Sequence, residues 1–341
     1  MIDFRYHVVS IVAVFLALAI GIVLGSTELQ GPTYSFLNHT TATLQNQLGE
    51  ARSQLTTAQQ QASQDEAYAQ AVEPAVLHDL PTGQRLLIVT EPGAQSSVVN
   101  GISSAAVMAG ATVTGQINLA SKFFDTSGTA QDSLNQTTLD MAQAAGIQLD
   151  ASATYQQQAA QVIASEVLTA SAGPAGTRSA GGDQSTAAAT MLQAYAASQF
   201  LSTTGQPTTP ATLTVVVTPQ NAPSDGSADQ LDQMLIPVVQ ELAAKSAATV
   251  VVGSSSGSGS GSPIAVLRSN NVSNQVSTVD DAELVSGQTV AIQALATLLA
   301  GGKAASYGFT ANGASAVAPS PAPTPSASAS ATSTPTKKAK K

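Results

Sequence analysis

The sequence predicts an α/β protein: a mostly parallel sheet covered by helices, preceded by a single N-terminal transmembrane helix and a coiled-coil helix, and followed by a disordered C-terminal tail. Three observations predict it. No charged residue occurs between Arg5 and Glu28, a run of 22 residues. Short β-branched runs such as Leu86-Leu87-Ile88-Val89-Thr90, Leu213-Thr214-Val215-Val216-Val217 and Thr249-Val250-Val251-Val252 alternate with Ala-rich helical stretches. Continuous apolar strands of this kind belong to parallel sheets buried on both faces. From about Asn312 the composition shifts to Ala, Ser, Thr and Pro. These features divide the chain into an anchor (1–26), a coiled-coil helix (33–73), an α/β body (80–311) and a tail (312–341).

The anchor is long enough to span. A helix rises about 1.5 Å per residue, so about 20 residues cross the ~30 Å hydrocarbon layer. Residues 8–24 are the part expected to contact membrane lipid. A retained anchor is favoured over a cleaved signal peptide. Signal peptides carry a shorter apolar region behind a basic segment and end in an A-x-A-like site. Here the run is longer and Gly25-Ser26-Thr27 is a poor cleavage site. Arg5 and the α-amino group precede the span, and no Lys or Arg follows until Arg52. Basic charge favours the cytoplasmic side, so the N-terminus is expected in the cytoplasm and the body outside it, a single-pass arrangement. Gly21 and Gly25 have the spacing of a helix-dimer motif, which also arises by chance in Gly-rich membrane helices.

Leu37, Thr41, Leu44, Leu48, Ala51, Leu55, Ala58, Ala62, Asp65, Ala69 and Val72 recur at alternating steps of four and three. That 3.5-residue period is a coiled-coil seam. The prediction is a homo-oligomer formed through this helix, helped by tethering in the membrane. The competing reading is a lone amphipathic helix packed on its own domain. Pro74 is expected to end the helix, because proline lacks the backbone N–H.

In the body, strands are expected at Leu86–Thr90, Thr112–Leu119, Leu213–Val217, Thr249–Val252 and Ile264–Arg268. Helices are expected after Glu91-Pro92-Gly93 to about Ala109, and at Gln131–Ala145, Tyr155–Ala170, Gln184–Leu201, Asp229–Lys245 and Ser286–Leu299. Residues 171–185, rich in Gly, Ser and Ala, form an expected mobile loop. Ligands of such sheets sit at the carboxyl ends of strands, so those loops are where chemistry would be found. The stretch from Gly253 to Gly261 follows a strand but fits neither phosphate-loop motif, with no helix expected directly after it. Asp280, Asp281 and Glu283 are adjacent acids, expected as a helix cap or solvated turn. No catalytic residue is assigned, and the chain is not expected to be an enzyme.

The chain has no cysteine, which removes thiolate catalysis, Cys-ligated metal and disulfides together. The net charge of −9 argues against nucleic acid as a partner, since binding it needs clustered Lys and Arg. Four of the 12 basic residues lie in the final Lys337-Lys338-Ala339-Lys340-Lys341, at the end of a Pro/Ser/Ala/Thr-rich tail expected to be disordered. The three histidines, His7, His39 and His78, show no zinc-protease spacing.

Met1-Ile2-Asp3-Phe4-Arg5-Tyr6-His7-Val8-Val9-Ser10, with Ala13 through Ser26, closely resembles the start of the actinobacterial MctB family of copper transport proteins. Val279-Asp280-Asp281-Ala282-Glu283, Ser286-Gly287 and Tyr307-Gly308 look like that family's C-terminal pattern. The resemblance covers about residues 1–310. It implies copper homeostasis: limiting intracellular copper at the envelope, with copper ions as substrate rather than as a tightly bound cofactor. By the same analogy, with mycobacterial members described as outer-membrane pore proteins, an outer membrane is the alternative to the inner one. The residues themselves offer Met108, Met141, Met191 and Met234, scattered along the chain, and no histidine cluster. Copper(I) favours thioethers and copper(II) favours imidazole. His39 and His78 are the candidate metal ligands. A second reading comes from related proteins resembling the corynebacterial SteB: a non-catalytic envelope or division scaffold that binds protein partners.

Overall fold

The computed structural model describes residues 4–28, 30–77, 83–170, 182–220, 228–254, 262–309, 314–316 and 318–319. Two compact units are present, Met1–Ala67 and Tyr68–Lys341. In the first, helix α1 (Phe4–Glu28) contains the one described helix long and apolar enough to cross a membrane, over Arg5–Gly25. Val9, Val14, Phe15 and Ile22 on successive faces are all exposed. A helix apolar all round and exposed along its apolar length suits lipid. Helix α2 (Gln30–Leu77) covers the whole expected coiled-coil segment. Along it Leu44, Leu48 and Leu55 stay exposed by 54–59%.

Pro74 does not end α2, which runs on to Leu77. Tertiary packing outweighs the lost backbone bond: Leu77 is 1% exposed within the second unit, and Thr289 Oγ1 donates to Glu73 Oε1 at 3.3 Å.

The second unit is built on a seven-stranded sheet: β1 (Arg85–Thr90), β2 (Thr112–Leu119), β3 (Leu201–Gly205), β4 (Leu213–Val217), β5 (Ala248–Val252), β6 (Ser277–Val279) and β7 (Ser306–Tyr307). Their spatial order is β3-β2-β1-β4-β5-β6-β7. Only β3 runs antiparallel to its neighbour; the other pairs are parallel. The expected parallel-dominated α/β sheet is therefore present. β4 and β5 are buried at every position, as strands covered on both faces must be.

Successive strand side chains point to opposite faces. Leu87, Val89, Val216 and Val251 pack under α4 (Gly128–Ala145), α5 (Tyr155–Val167), α6 (Gly182–Ala197), α7 (Ala228–Lys245) and α8 (Pro263–Ser269). Leu86, Ile88, Val215, Val250 and Val279 pack under α3 (Ser96–Met108), α9 (Val285–Leu299) and Leu77. The order turns around between β1 and β4, the position where open sheets of this kind form their ligand crevice.

Several expectations need correction. Ile264–Arg268 is helix, not strand. Ser262 caps α8 by accepting from Ala265 N at 3.3 Å, and Pro263 occupies the first turn. Ile264 and Leu267, three apart, then share one buried face. A helix thus does begin directly after the loop that starts at Gly253, although residues 255–261 of that loop lie outside the described residues. The helix expected to reach Leu201 stops at Ala197. Gln199 turns the chain with φ 61°, and Leu201 opens β3. The expected mobile loop falls largely on residues 171–181, outside the described residues, and α6 already begins at Gly182. Most of the expected tail is likewise outside them. Within it Ala316 bridges Tyr307, and Ser315 N donates to Ser306 O at 2.8 Å.

Candidate functional site

At the β1–β4 turnaround the carboxyl edge is closed by its own side chains. Thr90 Oγ1 and Gln116 Nε2 both donate to Asn118 Oδ1, the first at 2.9 Å. Glu91 is buried, with its N–H donating to Val217 O at 3.0 Å. Thr218 Oγ1 donates to Val252 O at 3.2 Å. A β-carbon on Gly253 would come within 2.7 Å of Thr218 Oγ1 and 2.8 Å of Ile264 Cγ1, so no side chain fits at that position.

Of the acidic stretch after β6, Asp280 and Asp281 are buried and not solvated, while Glu283 is half-buried in the turn that follows. Asp280 is fully buried and accepts Arg268 Nη1 at 2.9 Å. Arg268 also donates through Nε to Thr278 Oγ1 at 3.0 Å and through Nη2 to Tyr307 O at 2.8 Å. Asp280 Oδ1 accepts Phe309 N at 2.9 Å. Gly308 has φ +112° and lies so close to Asp280 Oδ1 that no β-carbon fits. Gly287 lies against the Asp281 carbonyl in the same way. The C-terminal motif therefore fastens β6, β7, α8 and α9 together. Asp281, 7% exposed, has its carboxyl pushed up to about 6, first by burial and then by the neighbouring Asp280.

The candidate metal ligands are not brought together. His39 is exposed on α2, where its carbonyl accepts Thr43 Oγ1 at 2.8 Å. His78 lies outside the described residues. Among the described residues no three His, Cys, Asp or Glu side chains gather around a point.

Two of the scattered methionines do share a place. Met141 on α4 and Met191 on α6 line a groove of about 390 Å³ together with Glu166 on α5. Ala144, Ala145, Ala187, Thr186 and Thr190 complete it. These helices cross here because each buries an apolar stripe under the sheet: Leu134 and Ala142 of α4, Ile163 and Val167 of α5, Ala188 and Leu192 of α6. Met191 is 3% exposed and Met141 is half-buried. Glu166 is half-buried, and burial alone pushes its carboxyl pKa up. Among the described residues its carboxylate makes no hydrogen bond or ion pair. Sequence reasoning missed this groove because the three residues lie on three different helices and share no local spacing.

Sheet, anchor-length helix and packed acidic motif define a class: an α/β protein behind one apolar N-terminal helix, with its C-terminal acids used for packing. A family model described as copper transport outer membrane protein, MctB, matches residues 1–319, and the chain belongs to that family. The chain is 28% identical over 321 residues to the copper transporters MctB of Mycobacterium tuberculosis and Mycobacterium bovis, covering 93% of this chain and 99% of each relative. The copper transporter MctB of Mycobacterium leprae is 27% identical over 317 residues, 90% of this chain and 96% of the relative. The resemblance carried by the N-terminal residues and the Val279–Gly308 pattern thus holds along nearly the whole chain. The relatives are named as transporters and not as enzymes.

Proposed function

We propose that this chain is an envelope-anchored copper transport protein that limits intracellular copper, single-pass, with its N-terminus in the cytoplasm and its body outside. One observation carries the reading. The family match runs unbroken over residues 1–319, so the function named for the relatives attaches to anchor, long helix and sheet together and not to one shared module. The apolar helix Arg5–Gly25 supports membrane attachment, and the basic Arg5 at its N-terminal end supports the orientation. The test is cell-associated copper measured by mass spectrometry in a strain lacking the gene. Deletion raises copper content and the full chain restores it. Equal copper in the deleted and restored strains would overturn the proposal.

A second reading is favoured by the exposed Leu44, Leu48 and Leu55 of α2. On that reading the long helix assembles copies of the chain, and the body binds an envelope protein as a scaffold. The two readings separate on copper content, which a scaffold leaves unchanged.

A further inference from the structure

We propose that the groove between α4, α5 and α6 is a docking site for cuprous ion, with the thioethers of Met141 and Met191 and the carboxylate of Glu166 as its ligands. The inference rests on the copper reading above and gives it a place and an oxidation state.

Three properties of the groove point the same way. Its two sulfurs are soft donors, and soft thioethers select copper(I) over the harder divalent ions. The carboxylate of Glu166, which lines the same groove, is half-buried and has no hydrogen bond or ion pair among the described residues. A charge withdrawn from water without a partner is costly, and a bound cation offsets that cost. The charges also balance. One cuprous ion against one carboxylate is neutral, which suits walls made of Ala144, Ala145 and Ala187, whereas a divalent ion would leave a net positive charge there. At about 390 Å³ the groove is far larger than a bare ion. The ion would therefore enter and leave with exchangeable ligands, as cargo does, and is not sealed in as a structural metal.

The test uses the full chain purified in detergent. It is titrated anaerobically with Cu(I), held reduced by ascorbate, against a chromogenic chelator, with Ag(I) as a redox-inert second probe. Met141→Leu and Met191→Leu are near volume-conserving changes, so the fold is retained, as thermal melting will verify. Each is expected to weaken Cu(I) and Ag(I) binding by roughly 10- to 100-fold, the loss that disturbed metal sites show, and Glu166→Gln by a similar factor. X-ray absorption of the copper-loaded wild-type chain should show sulfur neighbours that vanish in the double methionine variant. Cu(I) affinity unchanged in the double variant, or a wild-type spectrum without sulfur, would sink the proposal. The two readings fail separately. If the wild-type gene restores cell copper while the double variant binds Cu(I) undiminished, the groove is wrong and the copper function stands. If sulfur-ligated Cu(I) is seen in the purified chain but gene deletion leaves cell copper unchanged, the groove stands and the copper function falls.

Discussion

Arg268 shows how much of the body's edge depends on single side chains. Its guanidinium spends three donors inside the protein, on Thr278 Oγ1, Asp280 Oδ2 and Tyr307 O. Replacing it with methionine would leave the fully buried Asp280 charge without its cation. Breaking one half of a buried pair costs about 3–5 kcal/mol. Arg268→Met should therefore lower the unfolding free energy by an amount of that order, measured by urea unfolding followed by circular dichroism. Asp281 makes the opposite kind of statement. Its carboxyl stands at about 6 in the fold against 3.8 ordinarily. Between those values the folded chain holds a proton that the unfolded chain has released, so folding is favoured by acid and loses that support as pH rises through about 6. The melting temperature should fall from pH 5 to pH 7 in the wild type. Asp281→Asn should flatten that slope and melt higher at neutral pH; an unchanged slope would reject the assignment. None of this was legible beforehand. Two adjacent acids look solvated in a sequence, because the arginine that neutralises one of them comes from a helix taken for a strand.

At the level of elements, legibility followed burial. β1, β4 and β5 declared themselves because strands covered on both faces need uninterrupted apolar side chains. Leu201–Gly205 did not, since an edge strand with exposed Ser202, Thr203 and Thr204 has a loop's composition. Ile264-Ala265-Val266-Leu267-Arg268 is the instructive error. A short apolar run fits a buried strand or a buried helix equally, and the arbiter was the cap at Ser262 with Pro263 behind it. Helix α2 remains the element whose partners matter most. If the long helix self-associates through its seam, Leu44→Asn with Leu48→Asn should convert the detergent-purified chain to monomers in light scattering. Wild-type protein that is already monomeric would remove the oligomer from consideration.

The whole molecule carries a feature of timing. Its sheet is laid out with the first strand in the middle: β1 is flanked by β2 on one side and by β4 on the other. Sequence patterning gave the strands but not this order, because neighbours in a sheet need not be neighbours in the chain. β4 begins only at Leu213, and α3, α4, α5 and α6 intervene. A growing chain emerges at about 5–20 residues per second, so β1 stands with one edge unpaired for on the order of ten seconds. During that interval Leu86, Leu87, Ile88 and Val89 present open backbone donors and acceptors to any other strand. Biogenesis, more than the finished fold, is then where this protein is most vulnerable. Substitutions around β4 should lower its yield in cells further than their effect on the melting temperature of the mature protein would suggest.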